Sequence, residues 1–294
     1  MAREITILSG KGGAGKTVIT AALASLATNS VFCDNDVDAA DLHLIFNPVI
    51  KEEHRFSSGN VAFINSDACT DCGICLNTCR FGAIHKKMSD LPVINEFQCE
   101  GCRLCERLCP ENAIDVIHHE NNNWFVSDSR FGKLVHAQMG PGEENSGKLV
   151  TQIRNKAREL ALQMNAGFII NDGPPGIGCT AIASITGADT VLLIAEPTIS
   201  GLHDLKRLFE LTQSFKIPVL AVINKYDINA KATHKTEIFL KENNIPLSGK
   251  IPFDTRVVES IIEGKTMPEF APDSNFTEQM KLVWKKLVNF GALR

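Results

Sequence analysis

No run of apolar residues in this 294-residue chain approaches the roughly 18 that a membrane-spanning helix needs. Nor is there a charged leader followed by an apolar stretch and a cleavage site. Met1 leads almost directly into Ile5-Thr6-Ile7-Leu8, so no signal peptide is expected. Neither sign of charge dominates: 30 Lys and Arg against 34 Asp and Glu leave a net charge of −4, which gives no global attraction to nucleic acid. These absences point to the cytoplasm. The composition, 44% hydrophobic and 22% charged, is that of a globular protein with one large domain or two ordinary ones.

Cysteine is what the chain has in excess. The cytosol keeps thiols reduced, so ten cysteines are not expected to form disulfides. Eight of the ten fall within residues 69–109, a concentration that points to metal.

Short β-branched runs, each followed by a helical stretch, predict an α/β fold. Strands are expected at 4–9, 30–34, 167–172, 190–195, 217–223 and 247–251. Helices are expected near 15–28, 147–164, 178–187, 201–214, 232–243, 255–263 and 276–289. The strands are continuous apolar runs, as in a mostly parallel sheet covered by helices on both faces. The rhythm breaks between about 60 and 118, where Cys69, Cys72, Cys75, Cys79, Ala83 and Ile84 recur 30 positions later as Cys99, Cys102, Cys105, Cys109, Ala113 and Ile114. A block with its own period between two halves of another fold reads as an inserted domain, residues 60–118, within a host formed by 1–59 and 119–294. Residues 119–146 read as two short strands and a Gly/Pro-rich loop that carry the chain back to the sheet.

Gly10-Lys11-Gly12-Gly13-Ala14-Gly15-Lys16-Thr17 fits G-x-x-x-x-G-K-[ST], between a predicted strand and a predicted helix. Backbone N–H groups of such a loop close around phosphate oxygens, and the helix N-terminus adds about half a positive charge. Lys16 is expected on the β- and γ-phosphates and the Thr17 hydroxyl on Mg²⁺.

A lysine directly after the first glycine, Lys11, makes the loop resemble the deviant Walker A loop of the MinD/ParA/Mrp-type P-loop ATPases, within the nitrogenase iron protein superfamily. The resemblance covers the whole chain outside the insert. It implies that Lys11 reaches the nucleotide of a partner subunit, either a second copy or a paralogue, in an ATP-bridged dimer. CDNDVDAADL then occupies the switch I position, with Asp36 positioning the attacking water and Asp38 as the alternative. FIINDGPPGIG supplies Asp172 as the carboxylate near Mg²⁺, followed by switch II. Asn224-Lys225-Tyr226-Asp227 also satisfies the N-K-x-D pattern that reads guanine in many GTPases. The family resemblance instead sets Asn224 against adenine, with the loop of Pro252 and Asp254 as a second base contact, and ATP is favoured over GTP.

C-x₂-C-x₂-C-x₃-C, written twice, resembles the bacterial two-cluster ferredoxins, in which the fourth cysteine of each run serves the other cluster. The resemblance implies two [4Fe–4S] clusters, one on Cys69, Cys72, Cys75 and Cys109 and the other on Cys99, Cys102, Cys105 and Cys79. Zinc knuckles are the rival, but zinc sites do not repeat four-cysteine runs in register. Arg80 stands where such runs usually carry proline, and either faces solvent or raises the potential of the cluster that Cys79 completes. Cys33 reads as a core residue. Cys179 lies where nitrogenase iron proteins place a ligand of a bridging cluster, but the second cysteine that such a site needs is absent between Cys109 and Cys179.

Met280, Val283, Trp284 and Leu287 form one apolar stripe on the last predicted helix, either docked on the domain or resting peripherally on a membrane as in MinD-type positioning ATPases. Three functions follow. The first is an ATPase whose switch motions are coupled to electron transfer to a redox partner. The second is an iron–sulfur assembly or maturation factor. The third is a positioning ATPase with a redox-sensing insert. The insert follows switch I at Asp36–Asp41 and precedes Asp172, so the chain tethers it between the two segments expected to move with nucleotide state.

Overall fold

The computed structural model describes residues 2–56, 59–87, 90–119, 122–139 and 146–290. In chain order the elements are β1 (Arg3–Ser9), α1 (Lys16–Leu26), β2 (Ser30–Asp34), α2 (Leu42–Phe46), β3 (Val49–Phe56), β4 (Gly59–Ile64), α3 (Ile74–Thr78), β5 (Ile84–His85), β6 (Val93–Ile94), α4 (Leu104–Leu108) and β7 (Ile114–His119). They continue with β8 (Asn122–Ser129), β9 (Gly132–Gln138), α5 (Ser146–Gln163), β10 (Phe168–Pro175), α6 (Cys179–Ile185), β11 (Thr190–Ala195), α7 (Ile199–Ser214), β12 (Val219–Asn224), α8 (Ala230–Glu242), β13 (Leu247–Ile251), α9 (Arg256–Ile262), α10 (Met267–Phe270) and α11 (Asn275–Phe290).

The chain divides into two compact units. The larger comprises residues 1–54, 124–138 and 146–294, and the smaller 55–123 and 139–145.

The larger unit is built on a nine-stranded sheet of order β13-β12-β11-β1-β10-β2-β9-β8-β3. From β13 to β9 every neighbouring pair is parallel. The expected apolar runs sit in these strands because strands covered on both faces bury side chains of both parities. Ile5, Ile7, Phe32, Leu134, Leu192 and Leu220 pack with α1 and α11, while Leu8, Val191, Leu193 and Ala221 pack with residues of α7 and α8. The two strands expected within 119–146 are β8 and β9, joined through Arg130 and Phe131. The Gly/Pro-rich part of that segment, 140–145, lies outside the described residues.

One feature departs from the sequence reading. Val49–Phe56 is a strand at the edge of the sheet, β3, although Lys51 to Arg55 carry no apolar residue. The chain reaches the smaller unit through β3 and leaves it through β8, strands that lie beyond β9 from β2.

In the smaller unit the 30-residue period is a property of the backbone. Left-handed residues come in pairs 30 apart: Asp71 and Gly101, Gly73 and Arg103, Gly82 and Asn112. One member of each pair is glycine, which takes positive φ without strain. Asn65 N–H donates to the Ala113 carbonyl as Asn95 N–H does to Ala83, both at 2.8 Å. Ile64 pairs with Ile114 in one two-stranded sheet and Ile94 with Ile84 in the other.

Candidate functional site

β1 ends in the phosphate loop, and Gly13 and Gly15 adopt φ of 78° and 87° there. A side chain at Gly15 would collide with the Asn224 amide at 2.3 Å, and one at Gly10 would meet Asp204 of α7 at 2.1 Å. Glycine at these positions therefore lets β12 and α7 close on the loop.

Parallel register then gathers the carboxylates. Ile7 aligns with Asp172 and Asp172 with Asp34, so the acid that ends β2 stands beside one within β10. The first turn of α1 meets them. Thr17 Oγ1 donates to Asp172 Oδ2 at 2.9 Å, and Thr20 Oγ1 to Asp172 Oδ1 at 2.7 Å. Lys16 Nζ lies 3.2 Å from Asp172 and 3.5 Å from Asp36. Asp34 accepts the backbone N–H groups of Asp36 and Leu42, which shapes the switch I turn.

Two carboxylates thus share one ammonium, and the charge of a third, Asp34, acts on it. Burial alone would push Lys16 down, but Asp172, Asp36 and Asp34 together hold it above its ordinary value. Burial, then the charge of Asp172, pushes Asp34 well up. Burial also raises Asp36 to about 6, against the pull of Lys16. A donor set with surplus negative charge beside a hydroxyl suits Mg²⁺, which takes one or two carboxylates together with substrate oxygens.

A cavity of about 820 Å³ opens over this cluster, lined by Lys11, Gly12, Gly13, Ala14, Gly15, Lys16, Thr17, Asp36, Asn224, Pro252 and Asp254. The expected nucleotide residues are therefore gathered, apart from Gly10, which lies against Asp204 of α7. Asp38 is exposed and does not line the cavity. Asn224 Nδ2 donates to the Ala14 carbonyl at 2.8 Å, which ties the loop to β12. Asp227, the fourth residue of the N-K-x-D stretch, also lies outside the cavity lining, and its Oδ1 accepts the Phe253 N–H at 2.7 Å.

Sequence reasoning passed over Asp34, Thr20 and Glu196. Asp34 is the first acid of CDNDVD, and nothing in the string separates it from Asp36 or Asp38. Glu196 receives Lys11 at 2.8 Å and Lys225 at 3.0 Å.

In the smaller unit, Cys69, Cys72, Cys75 and Cys109 line a single cavity with Ile64, Ile74, Ala113 and Ile114. Cys79, Cys99 and Cys105 pack against the same apolar cluster. Burial raises Cys75 and Cys105, and the neighbouring thiols of Cys69 and Cys72, or of Cys99 and Cys102, add to it. Backbone N–H groups of Ala62 and Ala113 point at Cys99 and Cys109 sulfur, at 3.5 and 3.3 Å. No cysteine is in a disulfide. Among the described residues no three His, Cys, Asp or Glu stand close enough to hold a single metal ion. The thiolates of a cubane each bind a different iron, so they stand farther apart than the ligands of one ion. Arg80 lies over the Phe81 ring at 4.9 Å. Cys33 is buried and Cys179 exposed.

Among the described residues no helix is long and apolar enough to cross a membrane. The stripe on α11 is buried at Met280, Val283 and Leu287, and Trp284 packs edge-on against Phe168.

The sequence profile of the CobQ/CobB/MinD/ParA nucleotide-binding domain matches residues 5–267. An uncharacterized protein of Methanocaldococcus jannaschii is 34% identical over 290 residues, 98% of this chain and 97% of its own length. The septum site-determining protein MinD of Buchnera aphidicola is 24% identical over 282 residues, 90% of this chain and 83% of its own length. The structure of Pyrococcus horikoshii MinD complexed with Mg-ADP superposes with a TM-score of 0.60 at 17% identity, covering 100% of this chain and 98% of that one. That likeness is one of fold.

Proposed function

We propose a function for this chain from the premise that it belongs to the CobQ/CobB/MinD/ParA nucleotide-binding family and carries the MinD/ParA ATPase fold. It is a Mg²⁺-dependent ATPase acting as an ATP-bridged dimer, with a ferredoxin-type insert that ties the nucleotide cycle to electron transfer with a redox partner. The observation that carries the second half is the duplicated eight-cysteine unit set inside the chain of the ATPase.

Backbone N–H groups of Gly12 to Thr17 and the Lys16 ammonium receive the triphosphate. Thr17 and Asp172 would hold Mg²⁺, with Asp34 the registered neighbour of Asp172. Mg²⁺ held there would supply positive charge to offset that of the triphosphate. Asp36 is the carboxylate that orients the attacking water, since it lines the cavity while Asp38 does not. Near neutral pH it is largely ionised yet basic enough to take a proton. Lys11 acts on the nucleotide of the other subunit, a second copy or a paralogue. Adenine is favoured over guanine because Asp227, which would have to face the guanine edge, is engaged by Phe253 outside the cavity.

The smaller unit would hold two [4Fe–4S] clusters, on Cys69, Cys72, Cys75 and Cys109 and on Cys99, Cys102, Cys105 and Cys79. The supports are a cavity lined by the whole first set, the two N–H groups aimed at sulfur and the apolar surround. Clusters of this kind carry single electrons at potentials set by their surroundings. The chain's own contribution is a backbone that repeats its left-handed turns every 30 residues through the two cysteine runs.

A positioning ATPase is the second reading, favoured by the likeness to MinD along most of the chain. The buried stripe of α11 weighs against the membrane-helix part of that reading. A maturation factor, with the clusters as cargo, has less support, because a complete ligand set buried in an apolar unit favours retention.

Anaerobically purified protein tests the proposal. Iron and acid-labile sulfide should be present, and the ATPase rate should differ between dithionite-reduced and oxidised samples. Protein with no iron, or with equal rates in both states, overturns it.

A further inference from the structure

The Glu196 carboxylate, one residue past β11, is gripped by two lysines from different segments. Lys11 Nζ lies 2.8 Å from Oε2 and Lys225 Nζ 3.0 Å from Oε1. Lys225 Nζ also donates to the Gly13 carbonyl at 2.9 Å, so both arms of the clasp return to the phosphate loop. Lys11 has a second, weaker partner in Thr198 Oγ1 at 3.4 Å, the residue that caps α7 by accepting the Gly201 N–H.

The backbone under the carboxylate is fixed. Thr198 N–H donates to the Glu196 carbonyl, and a side chain at Gly201 would stand 2.2 Å from that oxygen. Only glycine lets α7 start this close. Burial alone would raise the Glu196 carboxyl, but hydrogen bonds from Lys11 and Lys225 outweigh it and hold the group below its usual range. The carboxylate is thus charged, oriented and shared.

We propose that Glu196 is a positioning residue that holds Lys11 in cis, folded back on its own protomer, so that Lys11 becomes available to a second copy only when this clasp opens. This rests on the reading above in which Lys11 acts across a dimer. A lysine left free next to the loop would sample its own triphosphate as readily as a partner's. With Glu196 in place it is neutralised and turned towards the start of α7. The polyphosphate of a facing subunit offers more negative charge than one carboxylate and draws Lys11 across. The bond is charge-assisted but only partly buried, so it is a restraint of about tenfold and not a lock.

Two measurements on the full chain separate the clasp from the reading beneath it. In nucleotide-free protein, site-resolved acylation with an amine reagent should label Lys11 about tenfold faster in Glu196→Gln than in wild type, with Lys281 unchanged. Equal labelling overturns the clasp, whatever the dimer does. In the second, specific ATPase activity is followed against protein concentration. Glu196→Gln should reach half-maximal activity at about tenfold lower concentration with KM for ATP unchanged, and the gain should vanish in Glu196→Gln/Lys11→Ala. A gain that persists without Lys11 also overturns the proposal. If wild-type activity per protomer is independent of concentration and Lys11→Ala changes nothing, the dimer reading fails, and the labelling result still decides the clasp. Glu196→Asp, which keeps the charge but withdraws it by one methylene, should fall between wild type and Gln in both assays. It replaces Gln if that variant does not fold.

Discussion

Asp34 and Asp172 are registered neighbours on β2 and β10, two buried carboxylates side by side, and burial together with the Asp172 charge pushes Asp34 well above its ordinary range. Relieving one charge should therefore stabilise the nucleotide-free protein while removing function. Asp172→Asn is expected to gain about 1–2 kcal/mol in urea unfolding at pH 8 and to lose about 100-fold in ATP hydrolysis. Added Mg²⁺ should stabilise wild type more than the variant. A variant that is less stable than wild type, or equally responsive to Mg²⁺, contradicts this picture.

Asp36 rises to about 6 through burial, so its ionised, proton-accepting form is depleted as pH falls through that value. The pH profile of kcat/KM should show an acid limb near pH 6 in wild type. Asp38→Asn should keep the limb and most of the rate. Asp36→Asn should lose about 100-fold in rate and the limb with it.

His136, buried beside Phe125 and His43 and bonded to Ser127 Oγ at 3.0 Å, is lowered to about 4, chiefly by burial. Between that value and its ordinary 6.5 the unfolded chain takes up a proton that the folded chain refuses. Its contribution is whole above 6.5 and is lost as pH falls towards 4. About 2.5 kcal/mol of stability should disappear between neutral pH and pH 4.5 through this residue. The urea midpoint of His136→Asn should fall less steeply over the same range.

Cys75→Ser should lower iron content by about half and shift the visible spectrum, since one of the two proposed clusters would lose a ligand. Cys179→Ser, an exposed position outside the smaller unit, should leave iron unchanged. Binding of a fluorescent ATP analogue should survive in both. Equal iron in wild type and Cys75→Ser would remove that residue from the ligand set.

Leu287 is fully buried within the α11 stripe. Leu287→Ala should cost about 2–5 kcal/mol in denaturant unfolding, as core truncations do. Wild-type protein should not sediment with anionic vesicles in an ATP-dependent way. ATP-dependent sedimentation would favour the positioning reading.

The phosphate loop and Asp172 were legible because each is marked by a pattern within a dozen residues, and the 30-residue period because the backbone turns repeat with the cysteines. The apolar strands were legible because burial on both faces leaves a continuous run. Asp34 was not, since only the register of β2 on β10 distinguishes it from the other acids of CDNDVD. Glu196 was hidden for the same reason, because its lysines come from the phosphate loop and from the end of β12. β3 escaped notice because an edge strand needs no apolar alternation. The stripe of α11 was visible, but its partner was not: Gly249 leaves the room into which Val283 packs.

The outer strands of the sheet also govern what kind of assembly the molecule can tolerate. β3 presents Lys51, Glu52, Glu53, His54 and Arg55 in succession, and the Leu247 carbonyl of the opposite outer strand, β13, is taken by Lys286 at 3.1 Å. Charges along such a border discourage strand-by-strand addition of further chains. Copies of this protein are thereby steered away from fibrillar growth and towards contacts made by side chains.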